Sequence, residues 1–143
     1  MTKIAPLAVA DAILGAYQTR APVQPVRELL PAGAIDQAYA AQEVNTERWL
    51  DEGRKLVGRK IGLTSLAVQR QLGVSQPDYG MLFAEMAVPD GWDVAADQLI
   101  QPKVEAEIAF VIGRDLDDEH LTIADILRAV ELGRGAERNG KVS

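Results

Sequence analysis

Leu56-Val57-Gly58-Arg59-Lys60-Ile61-Gly62-Leu63 is the stretch on which the reading of this chain turns. Two glycines among apolar and cationic residues are wrong for a helix interior and suit a strand with a kink or a close backbone approach. On a strand, successive side chains alternate between faces, so Lys60 points one way and Arg59 the other.

Working outward, Ser65 is placed to cap a short helix, Leu66 to Leu72, with Gly73 as its stop. Ser75-Gln76-Pro77-Asp78-Tyr79-Gly80 reads as a loop, Met81 to Val88 as a strand, and Pro89-Asp90-Gly91 as a turn. Gln101 to Gly113 has the clearest strand pattern. Val104, Ala106, Ile108, Phe110 and Ile112 share one face; Glu105, Glu107, Ala109 and Val111 share the other. Thr122 with Asp125 resembles a capping box, and Ile123, Ile126, Leu127 and Val130 form a helical stripe that Gly133 would end.

Upstream, Leu7, Ala10, Leu14 and Tyr17 predict an amphipathic helix ending before Pro22. An extended connector, 21–26, follows. Asp36 then caps a second helix through Tyr39, Ala41, Val44 and Trp49, closed by Gly53. Helices followed by strands give an α+β class. The expected organisation is a helical region at 1–55, a β-rich core at 56–132 and an irregular tail at 133–143. That tail has three glycines and almost no apolar residues, and structure is expected to be missing beyond it.

Composition narrows the possibilities. The 143 residues are 48% hydrophobic and 25% charged, ordinary for a folded globular chain. A net charge of −6 argues against nucleic acid or an anionic membrane as the main partner. There is no cysteine, so disulfides and thiolate metal sites are out. Any metal would need oxygen ligands, with His120 as the one imidazole. The start, Met1 to Pro6, does not read as a signal peptide, and no apolar run approaches a membrane span. The default expectation is a cytoplasmic protein.

The candidate chemical groups each have two readings. Glu105 and Glu107 at i and i+2 lie side by side on a strand, and two like charges so close must share a proton or a cation. Mg²⁺ or Mn²⁺ would resolve that; solvation or pairing with Lys103 would too. Lys60 is either a pocket lysine able to stabilise an enolate or move a proton, or a surface residue. Asp78 is either a general base or an Asx-turn cap. His120, after Asp117-Asp118-Glu119, reads as a solvated residue before a helix. Phosphate loops, dinucleotide fingerprints and nucleophile elbows are absent.

In combination the segments are more specific. Gly58-Arg59-Lys60-Ile61-Gly62-Leu63-Thr64-Ser65, then Val68 to Val74, then Gln76-Pro77-Asp78-Tyr79-Gly80-Met81-Leu82-Phe83-Ala84, resemble successive signatures of the 2-keto-4-pentenoate hydratases. Gln101-Pro102-Lys103-Val104-Glu105-Ala106-Glu107-Ile108-Ala109-Phe110 resembles that family's metal-binding strand. The resemblance runs from about Ala5 to about Val130 and implies the N-terminal part of such an enzyme. It implies the fumarylacetoacetate hydrolase superfamily, in which N-terminal helices precede a mixed β-roll, here partial.

The resemblance further implies a homo-oligomeric enzyme of aromatic-compound catabolism. It would hydrate 2-hydroxypenta-2,4-dienoate (2-keto-4-pentenoate) to 4-hydroxy-2-oxopentanoate. Glu105 and Glu107 match two metal ligands, and Lys60 and Asp78 match polar residues lining the site. A 4-oxalocrotonate decarboxylase-like activity on a related 2-oxo or 2-hydroxydienoic acid is the alternative. One departure stands out: the family's third carboxylate ligand sits in a run resembling L-P-A-L-E-[IV]-V, where this chain reads Leu132-Gly133-Arg134-Gly135-Ala136-Glu137-Arg138. Glu137 falls near the expected place among the wrong neighbours. The expectation is therefore an incomplete chain with little activity alone, or a non-catalytic fragment that acts by association.

Overall fold

The computed structural model describes residues 4–131. The chain divides into two compact units, Met1–Pro102 and Lys103–Ser143.

The first unit is built on two helices, α1 (Ile4–Thr19) and α2 (Ile35–Asp51). Val9, Ala10 and Ala41 are buried between them, with Ile13, Val26, Leu30 and Val44 packed around. The alanines let the backbones approach closely enough for Asn45 Nδ2 to donate to the Ala10 carbonyl at 2.8 Å. That bond satisfies a buried side chain that would otherwise cost on the order of 1–3 kcal/mol. Arg48 pairs with Asp11 at 2.8 Å and donates to Asn45 Oδ1 at 3.2 Å. The expected N-cap at Asp36 is displaced: Ala34 occupies the cap, and Asp36 lies in the first turn, where its charge favours the helix dipole. At the other end Gly53, at φ 86°, closes a Schellman motif through Gly53 N–H to Leu50 O and Arg54 N–H to Trp49 O, both 2.9 Å.

The glycine-bearing stretch is strand β1 (Leu56–Gly62), and it pairs antiparallel with β2 (Asp78–Phe83). A register shift between Leu56 and Gly58 supplies the expected kink. Helix α3 (Leu66–Leu72) sits in the connection, preceded by Ser65 and ended by Gly73 in the left-handed region, as its sequence predicts. The Ser65 side chain makes no capping bond.

The second strand departs from expectation. Asp78, Tyr79 and Gly80, expected in a loop, are strand, and the expected strand to Val88 gives way after Phe83 to a 3₁₀ turn, Ala84–Met86. Non-local contacts override the local turn signals. Tyr79 N–H donates to Tyr39 Oη at 3.3 Å, and Gln42 Nε2 donates to Tyr79 O at 3.0 Å. The turn at Pro89 forms as expected, with Trp92 N–H on Pro89 O at 3.1 Å and Gly91 at φ 77°.

In the second unit, α4 (Ile123–Ala129) begins with the expected Thr122–Asp125 capping box. It stops at Val130, which turns extended, short of the expected end at Gly133. Gln101 to Gly113 does not form the expected strand. Among the described residues its sole ladder element is an isolated antiparallel bridge, Ile112 to Val130, flanked by Gly113 N–H to Ala129 O at 2.8 Å and Glu131 N–H to Val111 O at 2.7 Å. A period-2 pattern prepares a chain to be a strand, but the strand exists only when a neighbour supplies the ladder. The α+β class holds; the sheet of the described residues has two strands.

Candidate functional site

The hairpin has two unlike faces. Tyr79 and Phe83 project toward α2, where Tyr39 stacks on Tyr79 at 4.8 Å and Trp49 meets Phe83 edge-on at 5.3 Å. Tyr17 of α1 completes the cluster, 5.0 Å from Trp49. The Arg54 guanidinium lies over both Trp49 (4.3 Å) and Phe83 (4.5 Å) and pairs with Glu85. The Glu85 carboxyl is held below its ordinary range by its own backbone N–H, opposed by desolvation and reinforced by Arg54.

Strand alternation then assigns the opposite face to Gly58, Lys60 and Gly62 of β1 and to Asp78, Gly80 and Leu82 of β2. Lys60 is registered with Gly80, and Asp78 with Gly62, so the lysine and the aspartate are diagonal neighbours on one face. Such diagonals are roughly 7–8 Å apart, within reach of a long side chain. Three glycines surround the pair. A Cβ built on Gly58 or Gly80 meets nothing within 4 Å, whereas one on Gly62 would collide with Asp78 Oδ1. The close approach expected in this strand is thus between Gly62 and the Asp78 carboxylate. Both Lys60 and Asp78 are exposed.

Two neighbours, which the sequence marks only as parts of longer motifs, shape this face. Leu63 follows Gly62 at φ 54°, a left-handed conformation uncommon for a residue with a branched side chain. The side chain of Gln69, buried in α3, donates to the Leu63 carbonyl at 2.6 Å and fixes this turn directly beyond the Lys60–Asp78 face. A leucine carries no sequence signal for a left-handed turn. A separate open cleft of about 590 Å³, lined by Tyr17, Trp49, Arg54, Glu85, Met86 and Leu99 among others, includes neither Lys60 nor Asp78.

Glu105 and Glu107 belong to the second unit, in a segment that forms no strand among the described residues. Their donor set is two carboxylates two residues apart, suited in kind to a hard divalent cation. Among the described residues no cluster of three or more metal-ligating side chains forms. Glu137 lies outside the described residues. His120 is exposed, its backbone N–H donating to Asp118 Oδ1 at 2.8 Å. No described helix is long and apolar enough to cross a membrane.

Protein-family models give no match to the chain. Among curated proteins it is 61% identical over 122 residues to a protein of Pseudomonas putida named TodF product hydratase, covering 85% of this chain and 46% of that one. It is 60% identical over 128 residues to 2-keto-4-pentenoate hydratase 2 of Dechloromonas aromatica, covering 90% of this chain and 49% of the relative. Among solved structures it matches 4-oxalocrotonate decarboxylase from Pseudomonas putida G7, complexed with calcium and acetate, at a TM-score of 0.83 and 35% identity. That match covers 91% of this chain and 50% of the decarboxylase. The chain spans about half the length of the curated relatives it matches. It is a partial member of the 2-keto-4-pentenoate hydratase family.

Proposed function

We propose that the chain provides part of a metal-dependent hydratase that adds water to 2-hydroxypenta-2,4-dienoate and yields 4-hydroxy-2-oxopentanoate. The observation that carries this reading is the 60% identity to a protein named 2-keto-4-pentenoate hydratase. Glu105 and Glu107 hold Mg²⁺ or Mn²⁺, an assignment supported by their oxygen donors and by the calcium and magnesium found with the solved decarboxylase. When bound, such an ion supplies Lewis-acid stabilisation of negative charge on a substrate oxygen. Lys60 and Asp78 line the substrate pocket, supported by their common glycine-flanked face.

The chemistry requires two proton movements. Ketonisation carries a proton from the 2-hydroxyl to C5, and water then adds at C4 with its own proton passing to C3. A cationic lysine stabilises the developing enolate oxygen, and an aspartate beside it takes up and returns the proton. The rest of a mixed β-roll, a homo-oligomeric assembly and a cytoplasmic setting complete the reading. Two carboxylates leave a divalent ion's shell to be filled by other ligands, so the chain alone turns over little substrate.

The test is a fusion of residues 1–131 to the unmatched half of the Dechloromonas hydratase, assayed with Mg²⁺ on 2-hydroxypenta-2,4-dienoate. Turnover is expected, with Asp78→Asn lowering kcat by about 10²–10⁴-fold and Glu107→Ala weakening Mg²⁺ binding by calorimetry. A folded fusion that decarboxylates 4-oxalocrotonate and leaves the dienoate unhydrated would overturn the reading in favour of the decarboxylase.

A further inference from the structure

Asp78 stands at the end of the β1–β2 ladder. Its pairing with Gly62 is the last rung, and Pro77 before it has no N–H to offer a further one. Terminal rungs fray, so a side chain that must keep its place there needs support from outside the ladder. On the β2 side that support comes from α2: Tyr39 Oη accepts from Tyr79 N–H at 3.3 Å, and Gln42 Nε2 donates to Tyr79 O at 3.0 Å. On the β1 side it falls to Gln69. This glutamine is the one buried residue of α3, at 5% exposure, while Leu66, Val68 and Leu72 of the same helix are exposed. Its Nε2 donates at 2.6 Å to the carbonyl of Leu63, which follows Gly62 at φ 54°. A leucine leaves the left-handed region unless its surroundings hold it there.

We propose that Gln69 is a positioning residue for Asp78, acting through Leu63 and Gly62. The proposal rests on the catalytic role given to Asp78 above. The chain of contacts is short. A Cβ on Gly62 would collide with Asp78 Oδ1, so the carboxylate lies against the Gly62 backbone. The Leu63 turn follows directly, and a backbone that leaves the left-handed region there swings the last rung with it. Gln69 holds that turn by its carbonyl and so holds the surface on which the carboxylate rests. Misplacing a reacting group by about 1 Å can cost about 10²-fold in rate. A glutamine that served the fold alone would change stability and leave kcat untouched.

The test compares Gln69→Leu with Asn45→Ala. Both remove a buried amide that bonds a backbone carbonyl, but Asn45 serves the α1–α2 contact through Ala10. In the 143-residue chain, Gln69→Leu should speed amide exchange at Gly62, Leu63 and Asp78 about tenfold, the effect of one lost net hydrogen bond, with α1 and α2 unchanged. In the fusion of residues 1–131 to the unmatched half of the Dechloromonas hydratase, kcat should fall about 10²-fold with KM little changed. Adding Leu63→Gly, which takes up the left-handed region freely, should restore most of kcat. Asn45→Ala should lower the melting temperature comparably and leave kcat as it is. Unaltered exchange at Gly62 and Asp78 overturns the proposal. So does an equal loss of kcat in Asn45→Ala, a rise in KM without loss of kcat, or a kcat that Leu63→Gly does not restore. Should the unsubstituted fusion leave the dienoate unhydrated, the hydratase reading falls, and the exchange measurement alone decides whether Gln69 positions Asp78.

Discussion

The Asp78 carboxylate occupies the space that a side chain at Gly62 would need, directly across the β1–β2 pairing. Glycine there is thus tied to the placement of a single acidic group. Gly62→Ala must push the carboxylate aside. In a double-mutant cycle with Asp78→Ala, the two changes should couple by about 1 kcal/mol, because the alanine clashes only while the carboxylate is present. Urea unfolding of the four proteins measures this, and strict additivity would show that the two groups do not meet.

Gln69 and Leu63 make a second coupled pair. Removing the amide in Gln69→Ala leaves a strained turn without its buried donor and should cost about 1–2 kcal/mol. Leu63→Gly, which adopts the left-handed region freely, should reduce that cost. An equal loss in both backgrounds would separate the hydrogen bond from the turn.

Phe83 is fully buried at the end of β2, against Trp49 and under Arg54. Phe83→Ala should destabilise the first unit by about 3–5 kcal/mol, a large share of the roughly 5–15 kcal/mol available to a domain. Thermal unfolding followed by circular dichroism reads the change, and a loss below about 1 kcal/mol would show that the cavity collapses.

Acid should fray α4 through its cap. The Thr122 hydroxyl, then the Thr122 N–H, bond the Asp125 carboxylate and lower its pKa from the ordinary 3.8. A depressed carboxyl stabilises the helix above its unfolded value and loses that contribution as pH falls through the folded one. Amide shifts of 123–129 should therefore move below about pH 3.8. In Asp125→Asn they should be insensitive to that range, and unchanged acid sensitivity would assign the fraying to another group.

Local chemistry was legible where it is self-contained. The Ser65-to-Gly73 frame of α3, the Thr122–Asp125 box and the Pro89 turn each depend on residues within a few positions of one another. Asp78 to Gly80 was misplaced because Tyr39 and Gln42, some forty positions earlier in the chain, make that segment a strand. At Gln101 to Gly113 the error ran the other way: the alternation was real, but among the described residues a bridging partner meets it only at Ile112, through Val130. In the candidate site, the placing of Lys60 and Asp78 as diagonal neighbours on one face came from register, which no local pattern encodes.

The aromatic cluster also makes the two tryptophans unequal reporters. Trp49 is wedged among Tyr17, Phe83 and Arg54, while Trp92 stands 72% exposed beyond the Pro89 turn. Native fluorescence therefore mixes a ring in contact with a cation and a ring in water. A soluble quencher extinguishes the second first, and what survives is an optical signal from the junction of α2 with the hairpin.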